Sequence, residues 1–195
     1  TLDGQQNPTG LVAGTYSVTV TDGANCNATT SVTLNDPQAI VLSCAQQSPV
    51  TTVGGSNGSA TVLISGGTAG YTVAWSGPMS GSQNQATAGT ATISGLSAGT
   101  YTVTVTDQNN CIQTCMFTIA GPVCNLAINA QTTSPSCFGG SNGSIVLSVS
   151  NANGMLSFDW NVNALDGIQN PTGLNAGVYF VTVTDAAGCT ANTAV

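Results

Sequence analysis

The side chains best able to do chemistry in this chain of 195 residues are seven cysteines and seven acidic residues, all of them aspartate. Lysine, arginine, histidine and glutamate are absent. A serine or cysteine nucleophile would therefore have no histidine to activate it, and Schiff-base chemistry has no lysine. Nucleic-acid binding needs basic contacts to phosphate, which a chain of net charge −7 without cations lacks. We therefore expect neither an enzyme nor a nucleic-acid-binding protein.

Three of the aspartates, Asp22, Asp107 and Asp185, end a recurring VTVTD segment. Aspartate at a turn usually accepts hydrogen bonds from its own backbone, and this is the favoured interpretation. The alternative is a weak Ca²⁺ site, because carboxylates suit this hard cation, with Asp36 approaching Asp107 at a junction between units. An aspartic dyad would need two carboxylates in one cleft, and these are dispersed. We expect no cofactor, with calcium at Asp36 and Asp107 as the alternative.

An internal repeat sets the spacing of these residues. Residues 1–32 and 164–195 are identical at 22 of 32 positions, at an offset of 163. A third copy lies between them, because residues 95–111 match residues 10–26 at an offset of 85. The unit is therefore about 80 residues long. Two subtypes alternate, since only the first and third copies carry LDGxQNPTG.

The equivalent dipeptides Asp36-Pro37 and Gly121-Pro122 mark the predicted unit boundaries. Residues 1–36 are then the C-terminal part of a first repeat, 37–121 a complete second repeat, and 122–195 a third repeat lacking the end of its last strand. A three-strand remnant is too small to bury a core. We therefore expect either a slice of a longer tandem array or ends that a neighbouring molecule completes.

Alternating residues predict the strands that position these side chains. In the segment 100–106, Tyr101, Val103 and Val105 alternate with threonines, which predicts a strand with Tyr and Val inward and Thr facing solvent. The two GGSNGS segments lack a lysine and are predicted to be tight turns, not phosphate loops. Short alternating runs between turn signals predict an all-β fold of tandem immunoglobulin-like antiparallel β-sandwich repeats.

No apolar run reaches the roughly 18 residues of a membrane helix and no signal peptide is visible, so we expect no membrane insertion in this segment.

The ordered blocks GGSNGS, YxVxW, ISGLxAGTY and VTVTD, followed by a cysteine, resemble the SprB-type repeat of Bacteroidota cell-surface adhesins. The resemblance covers the whole chain and implies a secreted, cell-surface, immunoglobulin-like array. It implies no catalytic residue, because the motif residues are structural. The middle unit departs from the pattern, since Thr52 or Val53 stands where such repeats often place a cysteine and Cys137 fills that place in the third unit.

Cysteine spacing predicts two disulfides. Cys44 and Cys115 occur only in the middle unit, which predicts that they pair. An immunoglobulin-like topology places the last hairpin at the end where the chain enters a unit, which favours Cys124–Cys189 as a staple at the junction. The rival pairing, Cys137–Cys189, follows the spacing of the family that the repeat resembles, and both stay open at this point.

The function predicted is a structural and adhesive repeat segment of a large extracellular bacterial surface protein or fibre, acting as a rigid, disulfide-stabilised rod. The expected partners are neighbouring repeats or copies of the chain itself. The alternative is a carbohydrate-binding module array that contacts surface polysaccharide. Phe138, Phe158 and Phe180 are its best candidates, although subtype-specific packing explains them more simply.

Overall fold

The computed structural model describes residues 4–195, so Asp3 and its two predecessors lie outside the described part. Within that part, the only helical element is a 3₁₀ turn at Asn163–Leu165, and no helix is long and apolar enough to span a bilayer. All strand pairings are antiparallel, and each falls within 1–36, 37–121 or 122–195. The predicted all-β fold is therefore confirmed, whereas the unit boundaries remain a prediction.

The middle unit consists of two facing sheets. Its strands are β3 (Val41–Ser48), β4 (Gly58–Ser65), β5 (Tyr71–Ser76), β6 (Gly81–Gln85), β7 (Gly89–Leu96), β8 (Gly99–Thr106) and β9 (Ile112–Ile119). One sheet has the order β3-β4-β7 and the other β6-β5-β8-β9. The GGSNGS segment begins in the loop between β3 and β4 with Gly54 at φ 71°, a conformation that glycine adopts without strain, and its last two residues, Gly58 and Ser59, start β4. The segment is therefore a turn, as predicted.

Alternate residues of these strands form the core of the middle unit. Tyr101, Val103 and Val105 on β8 are completely buried, while the threonines between them are half-exposed. The ring of Tyr101 stacks on that of Phe117 with their centroids 5.4 Å apart. Burying one such side chain stabilises the fold by about 1.5–3 kcal/mol. The predicted inward face of Tyr and Val is thus confirmed.

The third unit repeats this plan with a smaller core. Its strands are β10 (Ala127–Thr133), β11 (Gly143–Ser150), β12 (Leu156–Trp160), β13 (Thr172–Leu174), β14 (Phe180–Asp185) and β15 (Thr190–Ala194). The sheets have the orders β10-β11-β13 and β12-β14-β15. Trp160 is 3% exposed, and its indole N–H donates to the carbonyl of Ile168 over 2.9 Å. This bond ties the LDGxQNPTG segment to the core.

Side chains replace part of a strand in this subtype. In the middle unit β7 pairs along β4 from Gly58 to Ile64, whereas β13 pairs with β11 only at Gly143 and Ser144. Beyond that point, the side-chain amide of Gln169 donates to the Leu147 carbonyl over 2.8 Å, and the Asn170 side chain accepts from the Leu147 N–H over 2.9 Å. The QN of the motif therefore satisfies backbone groups that a strand would otherwise pair.

The first segment forms one hairpin, β1 (Gly14–Thr21) with β2 (Asn27–Leu34). Val18 and Val20 are 52% and 64% exposed, although their equivalents Val103 and Val105 are completely buried. On the outer face of the hairpin, the hydroxyls of Thr15 and Thr33 hydrogen-bond across the strands over 3.0 Å. The hairpin therefore has the same structure as the last hairpin of a complete unit. No described residue covers the face that carries Val18 and Val20.

Candidate functional site at the junction between units

The first disulfide joins Cys44 on β3 to Cys115 on β9, with the Cα atoms 6.0 Å apart and a sequence separation of 71 residues. These strands are the edges of the two sheets of the middle unit and lie side by side. Both cysteines pack against the core of the unit. The bond therefore closes one side of the sandwich by joining its first strand to its last.

The second disulfide joins Cys124 to Cys189, with the Cα atoms 5.2 Å apart. Cys124 lies in the linker between β9 and β10, and Cys189 follows the turn between β14 and β15. Both separations fall within the range of about 4.4–6.8 Å that disulfides require. The rival pairing, Cys137–Cys189, is not formed, because Cys137 is a free, exposed thiol. The second bond thus ties the linker onto the unit that follows it.

The middle and third units also meet through their backbones at this junction. The N–H of Val53, in the loop between β3 and β4, donates to the carbonyl of Ala187 over 2.7 Å. A Cβ at Gly188 would lie 3.4 Å from the Val53 Cβ, which is ordinary van der Waals contact. The loop at the far end of the middle unit therefore rests on the β14–β15 turn, two residues from the staple at Cys189. The sequence offered no sign of this contact, because Val53 is an ordinary loop residue.

Asp185 shapes the turn that makes this contact. It is 5% exposed, and its carboxylate accepts from the backbone N–H groups of Ala187, Cys189 and Asn153 over 2.9 Å each. The Asn153 N–H is the largest cause that holds the pKa of Asp185 below its ordinary value of 3.8, with burial opposing it and the N–H groups of the turn adding to it. A carboxylate that accepts several backbone N–H groups favours its charged form. Asp185 thus fixes the turn on which Val53 rests.

Asp107 has the same role in the middle unit. Its carboxylate accepts from the N–H groups of Thr68, Asn109 and Cys111, each over 2.9 Å. The Thr68 N–H is the largest cause that holds the pKa of Asp107 below its ordinary value, against a smaller opposing effect of burial. The interpretation of these aspartates as turn residues thus accounts for both of its carboxylate oxygens.

The calcium alternative finds no supporting geometry in residues 4–195. Asp36 lines a shallow cavity with Ala39 and Cys111, and Asp107 is not among the residues that line it. The described residues contain no group of three or more metal-ligating side chains. The oxygens of Asp107 face N–H donors, which disfavour a cation beside them. Calcium at Asp36 and Asp107 therefore stays an untested prediction.

Three exposed cysteines, Cys26, Cys111 and Cys137, are free among the described residues. Cys111 occupies the position in the middle unit that Cys189 has in the third. The equivalent of Cys124 in the middle unit is Ala39, which lies beside Cys111. Cys111 is therefore unbonded because its neighbour in the linker is an alanine.

The three phenylalanines considered for sugar binding do not form a row. Phe158 is 8% exposed and belongs to the core of the third unit, so packing explains it. Phe180 is 55% exposed at the start of β14, and Phe138 is fully exposed in the loop between β10 and β11. The simpler interpretation, subtype-specific packing, is therefore confirmed for Phe158.

A family model described as the SprB repeat matches the chain at residues 45–80 and 129–165. The two matches cover equivalent parts of the middle and third units, from the first strand of each to the segment after the tryptophan. The resemblance to the SprB repeat noted from the sequence is confirmed at these two places. No curated protein matches the chain.

Three solved structures are similar to the chain at 13% sequence identity. The first is a C-terminal 282-residue fragment of intimin in complex with the intimin-binding domain of the translocated intimin receptor; 80% of this chain matches 63% of that one, less than two thirds of its length, with a TM-score of 0.33. Fibronectin(III)-like modules of CbhA from Clostridium thermocellum match 78% of this chain and 92% of theirs with a TM-score of 0.31. Murine CEACAM1b matches 80% of this chain and 98% of its own with a TM-score of 0.29. All three scores are low, so the fold assignment rests on the sheets described above.

Proposed function

We propose that this chain is a structural and adhesive repeat segment of a large extracellular bacterial surface protein, and that its role is to hold successive β-sandwiches as a stiff rod. The observation that carries the proposal is the stapled junction. Cys124–Cys189 fastens the linker to the third unit, and the Val53 N–H bonds to Ala187 across the same boundary. A junction held at both places has little freedom to bend, because the staple restrains the linker and the Val53 bond restrains the two units directly.

The composition supports an exposed location outside the cell. Disulfides persist in oxidising compartments, so two bonds within one short chain suit secretion. The absence of lysine and arginine removes every site for trypsin-like proteases. A net charge of −7 keeps neighbouring chains soluble through mutual repulsion. Each property suits a filament that meets extracellular proteases.

Solution scattering on the full chain tests the proposed stiffness. We expect an extended particle whose longest dimension stays constant with ionic strength. The Cys124→Ser, Cys189→Ser double variant should broaden the distribution of interatomic distances, because the linker is released. The Cys44→Ser, Cys115→Ser double variant is the matched control, since that bond lies inside one unit and should leave the junction unchanged. Equal distributions for all three proteins would contradict the proposed role of the staple.

Labelling of intact cells with antibodies against the chain tests the location. We expect labelling before permeabilisation and along extended surface structures. Labelling only after permeabilisation would contradict it. Retention of the full chain on surface polysaccharide would instead favour the carbohydrate-binding module array.

A further inference from the structure

The third unit has an exposed cysteine and an exposed aromatic residue side by side at its far end. Cys137 is a free thiol, and Phe138 is fully exposed. Both lie in the loop between β10 and β11, residues 134–142, which we name the far loop of the third unit. Removing the apolar surface of this phenylalanine from water would be favourable, so a partner that covered it would be stabilised. The internal junction indicates what that partner is.

The far loop of the middle unit, residues 49–57, has the same structure and contacts the next unit through Val53. In it the Asn57 side chain bonds to the N–H and hydroxyl of Thr51 over 3.1 and 2.8 Å. In the third unit the Asn142 side chain makes the same bonds to Ser136 over 3.0 and 2.9 Å. The two loops are therefore equivalent residue by residue.

In this equivalence Cys137 corresponds to Thr52, and Phe138 to Val53. Val53 is the residue whose N–H bonds to Ala187 in the β14–β15 turn of the following unit. Phe138 therefore stands where the chain makes its observed junction contact, with a larger side chain and no partner within the described residues.

The surface that receives such a loop is also repeated. The turn at 185–189 recurs in the middle unit at 107–111, where Asp107 accepts the same pattern of N–H groups. Asn110 at φ 61° takes the place of Gly188 at φ 80°, so the turns share one backbone path. The turn of the middle unit ends in Cys111, a free and exposed thiol.

We propose that the far loop of the third unit docks on the 107–111 turn of a further copy of the middle unit that follows it in the array, and that Cys137 and Cys111 of that copy form a disulfide. This inference rests on the proposed role of the chain as an array. At the observed junction Thr52 is one residue from Val53 and Cys189 is two residues from Ala187, and consecutive Cα atoms are about 3.8 Å apart. The two thiols would thus meet within a short reach, while Phe138 covers the turn.

Bond formation needs an oxidant, which we take to be an external disulfide. The thiolate of Cys137 attacks one sulfur of that disulfide and releases one external thiol, leaving a mixed disulfide. The thiolate of Cys111 then attacks the protein sulfur and releases the second external thiol. Two protein thiols and one external disulfide thus give one protein disulfide and two external thiols.

The two subtypes then use cysteine in complementary ways. In the third unit Cys124 of the linker is bonded to Cys189, so Cys189 has no thiol left to bond with another unit. The middle unit has Ala39 at the position of Cys124, which leaves Cys111 available to the unit before it. One period of 163 residues holds six cysteines, and the new bond pairs the last two of them.

A lengthened protein tests the proposal by counting thiols. The full chain is continued in register by a second copy of residues 33–195, which adds six cysteines. After oxidation with oxidised glutathione and denaturation, we expect three thiols to react with an alkylating reagent, as in the single chain. Five reactive thiols would mean that Cys137 and the second copy's Cys111 are both free, and would overturn the proposal.

Digestion without reduction identifies the bond. Chymotrypsin replaces trypsin, because cleavage at aspartate would leave Cys111, Cys115, Cys124 and Cys137 on one peptide, whereas cleavage after Tyr101, Phe117, Leu126 and Phe138 separates Cys111 from Cys137. Ile112→Val in the second copy marks its 102–117 peptide by mass, and fragmentation of the linked peptides assigns the bond to Cys111 or Cys115. We expect a linked peptide containing Cys137 of the first copy and Cys111 of the second. Linkage of Cys137 to any other cysteine would overturn the proposal even if three thiols remained.

Matched variants separate this bond from general folding. Cys137→Ser in the first copy should raise the count to four, whereas the same change in the second copy should lower it to two. Phe138→Ser in the first copy should slow formation of the bond severalfold, and the second-copy change should have no effect. Scattering on the lengthened protein distinguishes failure of the disulfide from failure of the proposed rod. An extended particle with five reactive thiols would support the rod and contradict the disulfide. A flexible particle with three reactive thiols would support the disulfide and contradict the rod.

Discussion

Removing the Cys44–Cys115 bond by a double substitution to alanine should destabilise the middle unit alone. The bond closes a loop of 71 residues, for which the chain-entropy model gives about 4 kcal/mol at 25 °C. Alanine leaves no unsatisfied polar group at the two sites, which pack against the core. The free energy of unfolding of a domain this size is about 5–15 kcal/mol, so the loss is a large fraction of it.

Each unit has one tryptophan to report this change. Trp75 packs against the core of the middle unit, and Trp160 lies within the core of the third. In a Trp75→Phe variant only Trp160 fluoresces, so urea unfolding followed by fluorescence reports the third unit. The signal of the chain with both tryptophans, minus the signal of this variant, reports the middle unit. With an m-value of about 1 kcal/mol/M, the middle transition should move down by about 4 M urea or be lost, while the third stays in place.

The Cys124→Ala, Cys189→Ala double variant is the matched control. Its loop of 65 residues predicts nearly the same loss, about 4 kcal/mol, but in the transition of the third unit. A shift below about 1 M in the Trp75 transition of the first variant would refute the entropy argument. A shift of equal size in both transitions would show that the units unfold together.

Three further outcomes follow from the described residues. Trypsin should leave the chain intact even after heating and reduction, because it contains no lysine or arginine; any tryptic fragment seen by mass spectrometry would contradict this. Val103→Ala should cost about 2 kcal/mol in chemical unfolding, since Val103 is completely buried, whereas Val18→Ala at the equivalent site, 52% exposed, should stay within about 0.5 kcal/mol. Asp107 and Asp185 have lowered pKa values when folded, so their stabilising effect is present above the ordinary value of 3.8 and is lost as pH falls through the folded value. Asp185→Asn should therefore flatten the fall in melting temperature of the third unit between about pH 5 and 2, and an unchanged slope would contradict the assignment.

Local patterns in the sequence predicted the strands, because alternation at period two depends only on which face is buried. Tyr101, Val103 and Val105 show this directly. The sequence favoured the pairing of Cys124 with Cys189, because an immunoglobulin-like topology places the linker beside the last hairpin, but it left Cys137–Cys189 open; the structure forms the first pairing. Packing was the simpler interpretation of Phe138, Phe158 and Phe180, and it holds for Phe158 but not for the two exposed residues, because a buried and an exposed phenylalanine look alike in a sequence. The contact of Val53 with Ala187 could not be foreseen, because it is made by backbone atoms that any residue would supply.

The absence of cations explains why this chain uses backbone groups and disulfides where other proteins use ion pairs. A buried carboxylate costs several kcal/mol unless its charge is compensated, and no lysine, arginine or histidine is present to do so. Asp107 and Asp185 are each compensated by three backbone N–H donors, two from the turn that follows the aspartate and one from a separate loop, at Thr68 or Asn153. In the remnant hairpin Asp22 keeps the two donors of its own turn, Ala24 and Cys26, and is exposed. The third donor in a complete unit comes from the loop before another strand, so this aspartate is fully satisfied only when the two sheets of a sandwich are assembled around it.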